Sequence, residues 1–120
     1  MALAKLDVVV LDCPDPYALA GFYAAVLGGT VEGHGEWVDL NLPDGRTLAF
    51  QQAAGYTPPE WPRADRNGQQ FHLDLTVDDL DTAEKEVLEL GARPLDTADR
   101  SRTFRVYADP AGHPFCLCAG

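Results

Sequence analysis

Two short patterns in this 120-residue chain set reactive side chains two apart, the spacing that puts both on one side of an extended strand: His72-Leu-Asp74 and Cys116-Leu-Cys118. An imidazole titrates near neutrality, and a carboxylate along the same face can orient it, so His72 and Asp74 read as a catalytic acid–base pair. They read equally as hydrogen-bonded structural residues, because side chains at i and i+2 of a strand start about 6–7 Å apart. Cys116 and Cys118 are small thiols of the kind that proteins bury.

Further side chains at the same spacing suit binding. Trp37 offers a large ring for a flat or cationic ligand, with Asp39 two residues on. Arg105 can grip a carboxylate with two donors or pair internally with Asp74 or Asp39, and Tyr107 follows it. Gln51 is a neutral oxygen donor. Trp61 lies in Tyr56-Thr-Pro-Pro-Glu-Trp-Pro62, a segment that either closes over a site as a lid or straps two halves together. Turn chemistry accounts for His34, within Gly33-His-Gly35, and for His113, after Asp109-Pro-Ala-Gly112.

These residues need strands, and the strands come in two matching sets. Leu6 to Asp12 reads as a strand, followed by Asp15 as a helix cap and Pro16 in the first turn. Leu19, Phe22, Tyr23, Val26 and Leu27 keep helical spacing up to a glycine stop at Gly28-Gly29. Thr30–Glu32, Glu36–Leu42 and Leu48–Gln52 read as strands, the last two joined by a Pro43-Asp-Gly45 turn. After the loop Ala54–Gly68 the order begins again: strand Gln70–Val77, cap Asp78-Asp79, helix with Leu80, Ala83, Val87 and Leu88, stop Gly91. Strands follow at Arg93–Leu95, Thr103–Ala108 and Pro114–Cys118. The chain is thus two βαβββ repeats, 5–54 and 69–119, with a linker at 55–68, in one α+β domain over 1–120.

Alternation then sorts the strands into a helix-side core and an opposite face. The core set is Val9, Leu11, Val38, Leu40, Leu42, Leu48, Phe50, Leu73, Leu75, Val77, Phe104, Val106, Phe115 and Leu117. The opposite face carries Val8, Val10, Trp37, Asp39, Asn41, Ala49, Gln51, His72, Asp74, Thr76, Arg105, Tyr107, Cys116 and Cys118, and paired sheets would turn it into a cup for a small molecule.

Val10-Leu-Asp-Cys-Pro-Asp-Pro16 leading to Phe22-Tyr23 and Leu27-Gly28, then Phe71-His-Leu-Asp-Leu-Thr-Val-Asp-Asp79, then Ala108-Asp-Pro-Ala-Gly-His-Pro-Phe-Cys-Leu117, together resemble the vicinal oxygen chelate superfamily, in its glyoxalase-like and bleomycin-resistance-like branch. The resemblance implies the cup-shaped mixed sheet with helices outside. It also implies a divalent ion held by His, Glu or Gln, at positions that fall here on Val8, on Ala49 or Gln51, on His72 and on Cys116. Valine cannot coordinate and cysteine replaces a carboxylate, so the usual metal site looks dismantled. No cofactor is expected; a divalent metal on His72, Gln51 and Cys116 is the alternative. The resemblance also implies a homodimer.

Bulk composition narrows the partners. The net charge is −10 and the nine basic residues are scattered, which excludes nucleic acid and anionic membranes as partners. Neither a secretory core nor a membrane span follows Met1, and three cysteines, an odd number, are expected to stay reduced, so a cytoplasmic protein is expected. The function expected is binding of a small organic molecule, in resistance or sequestration. The alternatives are a lyase, isomerase or dioxygenase using His72 with a metal or Asp74, and an accessory subunit with no small-molecule role.

Overall fold

Two aspartates, Asp15 and Asp79, start the two helices, and each helix belongs to a unit with one four-stranded mixed sheet. The computed structural model describes residues 2–63 and 65–120. Met1 and Ala64, which the expected domain and linker include, lie outside the described residues. The chain divides into two compact units, Met1–Tyr56 and Thr57–Gly120.

In the first unit β1 (Val9–Cys13) leads into α1 (Pro16–Leu27), followed by β2 (Thr30–His34), β3 (Trp37–Asn41) and β4 (Thr47–Gln52). Asp15 caps α1 by accepting from the Ala18 N–H, Pro16 occupies the first turn, and Gly28 ends the helix at φ 80°. The sheet order is β1-β4-β3-β2, with β1 parallel to β4 and the other pairs antiparallel. Helix α1 buries Leu19, Phe22 and Tyr23; the Tyr23 ring stacks on Phe50 of β4 at 5.9 Å, and Leu11, Val38, Leu40 and Leu48 complete the core. Removing each such side chain from water contributes about 1.5–3 kcal/mol. The first strand begins later than expected: Leu6 is exposed and lies outside it, because no partner residue of β4 reaches beyond Val9.

The second unit repeats this plan with β5 (Leu73–Val77), α2 (Leu80–Glu89), β6 (Arg93–Asp96), β7 (Phe104–Ala108) and β8 (Pro114–Ala119). Asp79 caps α2, accepting from the Asp81 N–H and the Thr82 hydroxyl. The order is β5-β8-β7-β6, with β5 parallel to β8 and the other pairs antiparallel. Edge strand β6 carries Pro94, and its register with β7 slips between Pro94 and Asp96. Tyr107 stacks on Phe115 at 5.7 Å, and Val87 is the buried residue of α2. Among the described residues no helix is long and apolar enough to cross a membrane. The linker is organised by its own contacts, with Asn67 donating to the Pro58 carbonyl and Glu60, and Trp61 half-buried within it.

Candidate functional site

The parallel pairing of β5 and β8 sets Asp74 directly beside Cys116 and Thr76 beside Cys118, so all four share one face. His72, one residue before β5, joins them: its Nε2 lies 3.1 Å from an Asp74 carboxylate oxygen. The ligand atoms of His72, Asp74 and Cys116 all lie within 4.8 Å of one another. His72 and Asp74 are exposed, whereas Cys116 is buried. Burial pushes the Cys116 thiol up to about 12, and the adjacent Asp74 carboxylate adds to the rise through its charge and a hydrogen bond. Burial and Asp74 likewise raise the Cys118 thiol. The same face carries Phe104, opposite Cys118, with the Arg102 guanidinium 4.6 Å above its ring and paired to Asp96 at 2.7 Å. Chemically, the pair of His72 and Asp74 is an imidazole steadied by a carboxylate; with Cys116 it is also a compact nitrogen, oxygen and sulfur donor set.

The open face of the first sheet has a different character. Register places Trp37 opposite Gln51 and His34, and Asp39 opposite Ala49 and Glu32. The Trp37 indole N–H donates to Asp39 at 2.9 Å, and the residue is 44% exposed. Glu32 and Asp39 are like charges directly opposite each other, an arrangement that weakens a sheet unless a cation lies near. His34, expected in a turn, is instead the last residue of β2, and Gly35-Glu36 make the connection. His113 keeps its turn role, its N–H bonded to the buried Asp109 carboxylate.

One expected face is corrected. Arg105 pairs in register with Leu117, and Tyr107 with Phe115, so both lie on the apolar side of the second sheet; Phe104 and Val106 take the face of Cys116 instead. Arg105 and Tyr107, expected as ligand-binding residues beside His72, are held by α2. Arg105 donates to Asp81 at 2.9 Å and to Glu84 at 3.4 Å, and the Tyr107 hydroxyl donates to Glu84 at 2.9 Å. The internal ion pair foreseen for Arg105 exists, with Asp81 and Glu84 in place of Asp74 or Asp39. The Arg100 guanidinium and the Tyr107 hydroxyl hold the Glu84 carboxyl below its ordinary value against the opposing effect of burial. The phase of β7 was ambiguous because both of its alternating sets include large apolar side chains; the charge on the inner side of α2 decided it.

The donor set implied by the resemblance fits a hard divalent ion poorly. Val8 brings no donor, Gln51 is an exposed neutral amide of the first unit, and Cys116 is a thiol where an oxygen ligand is wanted. The sequence sets His72, Asp74 and Cys116 on one face but does not reveal the direct pairing of Asp74 with Cys116; it puts Phe104 in the core and gives no signal for Glu32 or Arg102. Pairing the first and last strands of a repeat in parallel register would have brought Asp74 to Cys116.

Comparison with known proteins agrees with this architecture. No curated protein matches the chain. Among solved structures, an enzyme of the glyoxalase, bleomycin resistance protein and dioxygenase family from Burkholderia phytofirmans PsJN superposes with a TM-score of 0.75 at 18% identity, covering 97% of this chain and 98% of its own. Oxidase ChaP-H2 gives 0.65 at 22% identity, covering 99% and 95%. The fosfomycin resistance protein FosX from Mesorhizobium loti gives 0.69 at 16%, covering 100% and 94%. At these identities the likeness is one of fold. The family model described as "Glyoxalase-like domain" matches residues 8–118, nearly the whole chain, and with two βαβββ units in place the chain belongs to the glyoxalase-like domain family.

Proposed function

We propose that this protein binds a small organic cation with a flat or apolar body, in a sequestering or resistance role, and that it works without the hard-metal centre usual in its superfamily. The observation that carries the reading is the Trp37 and Asp39 pair, an indole tied at 2.9 Å to a carboxylate that itself faces Glu32 across the hairpin. An ammonium or heteroaromatic cation placed there relieves the repulsion between Glu32 and Asp39 and gains ring contact with Trp37. Gln51, opposite Trp37, supplies an amide for orientation. The net charge of −10 attracts such a ligand at long range. A homodimer in the cytoplasm is the setting we propose for it.

Tryptophan fluorescence tests the proposal. In a Trp61→Phe background Trp37 is the remaining tryptophan, and titration with N-methylquinolinium should quench it saturably. Asp39→Asn and Glu32→Gln should each weaken binding at least fivefold, and the uncharged isostere 1-methylnaphthalene should bind less well than the cation. Equal affinity for the charged and neutral probes, or an absence of saturable quenching by either, would refute the proposal.

A further inference from the structure

The second unit offers a separate chemistry. Ligand bonds of 2.0–2.3 Å at tetrahedral angles put donor atoms roughly 3.3–3.8 Å apart. The His72 and Asp74 atoms lie 3.1 Å apart, and every separation within the group of His72, Asp74 and Cys116 is at most 4.8 Å, so small side-chain rotations complete such a geometry. The backbone already fixes two of the three: Asp74 and Cys116 are register partners on adjacent parallel strands.

We propose that His72 Nε2, an Asp74 carboxylate oxygen and Cys116 Sγ form a three-ligand site for a borderline divalent ion of the zinc type, with the fourth position open to water or a small-molecule donor. One imidazole, one carboxylate and one thiolate together bind zinc or cobalt well and magnesium poorly. The site draws all three ligands from one βαβββ unit. Cysteine binds such an ion as its thiolate, so an entering ion takes the place of the Cys116 thiol proton, which is released to solvent. Cys118 lies on the same face one step farther along β8 and is a neighbour rather than a ligand.

The inference is independent of the organic-cation reading, because one titration reports on Trp37 and Asp39 and the other on His72, Asp74 and Cys116. The full-length, reduced, metal-stripped protein should take up one equivalent of Zn²⁺ in competition with a chromophoric chelator, and excess Mg²⁺ should not displace it. Co²⁺ should give a thiolate-to-cobalt charge-transfer band and the strong visible absorption of a tetrahedral site. Cys116→Ser should abolish the charge-transfer band. His72→Ala and Asp74→Asn, at exposed positions where folding is little affected, should each weaken zinc binding at least tenfold. Gln51→Ala and Cys118→Ser should stay within twofold of the parent. Failure to retain stoichiometric zinc, or a cobalt spectrum without the thiolate band, overturns the site. So does a loss on Gln51→Ala or Cys118→Ser equal to that on Cys116→Ser.

Discussion

The Tyr107 hydroxyl donates a 2.9 Å hydrogen bond to Glu84 and ties β7 to helix α2. The same carboxylate takes Arg100 at 2.7 Å and the buried Arg105 at 3.4 Å, so one acidic group organises two cations and a phenol. Glu84→Ala leaves the Arg105 guanidinium buried with a partner removed and should lower unfolding free energy by about 3 kcal/mol. Tyr107→Phe removes a single hydrogen bond and should cost about 1 kcal/mol. Urea midpoints at unchanged m-value measure both, and a Glu84→Ala cost no larger than that of Tyr107→Phe would contradict the network.

Acid should find this network early. The Glu84 carboxyl is held below its ordinary value in the folded protein, chiefly by Arg100. A depressed folded pKa means that the stabilisation is complete above the unfolded value, about 4.3, and is lost as pH falls through the folded value. Unfolding midpoints should therefore drop more steeply between about pH 5 and 3 in the parent protein than in Glu84→Gln, which has no proton to take up at that position. Parallel pH profiles would show that Glu84 does not contribute.

Gly29, just past α1, has φ +102°, and a Cβ there would lie 2.3 Å from the Asn41 carbonyl oxygen at the end of β3. Gly29→Ala should cost about 3 kcal/mol from backbone strain and the forced shift of β3. Gly35→Ala, where φ is +81° but nothing lies within 4 Å, should cost about 1 kcal/mol. Thermal melts of the two variants side by side would expose the error if Gly35→Ala were the worse.

The thiols should react in a fixed order. Cys13 and Cys116 are buried, whereas Cys118 is half-buried. Iodoacetamide at neutral pH, followed by peptide mass spectrometry, should label Cys118 first, and slowly, because burial and Asp74 keep its thiol protonated. Labelling of Cys116 ahead of Cys118 would mean that its surroundings open in solution.

The repeat was legible because its signals are local. Asp15 with Pro16, Asp79, the glycine stops and the alternation in β3 and β4 each act within a few residues of chain, and the structure has both helices and all eight strands in the expected order, with β1 and β5 starting later and β2 running further than expected. The face of β7 was not legible, since its phase depends on Glu84, about twenty residues earlier in the chain, across a sheet-to-helix contact that no local pattern encodes. The pairing of Glu32 with Asp39 depended on where the hairpin turns. Reading the turn at Gly33-His-Gly35 rather than Gly35-Glu36 hides the shared row. The partnership of Asp74 with Cys116 spans the whole second repeat and follows from parallel register alone.

Edge strand β6 bears on behaviour outside binding. Pro94 withholds a backbone donor there, and the slip in register between Pro94 and Asp96 breaks the even row of amides. A strand so interrupted is a poor template for the backbone of a neighbouring molecule, so this rim of the second sheet resists growth into stacked aggregates. Replacing Pro94 with a residue that carries an amide N–H would restore that donor and make the edge a better template for a second copy of the chain.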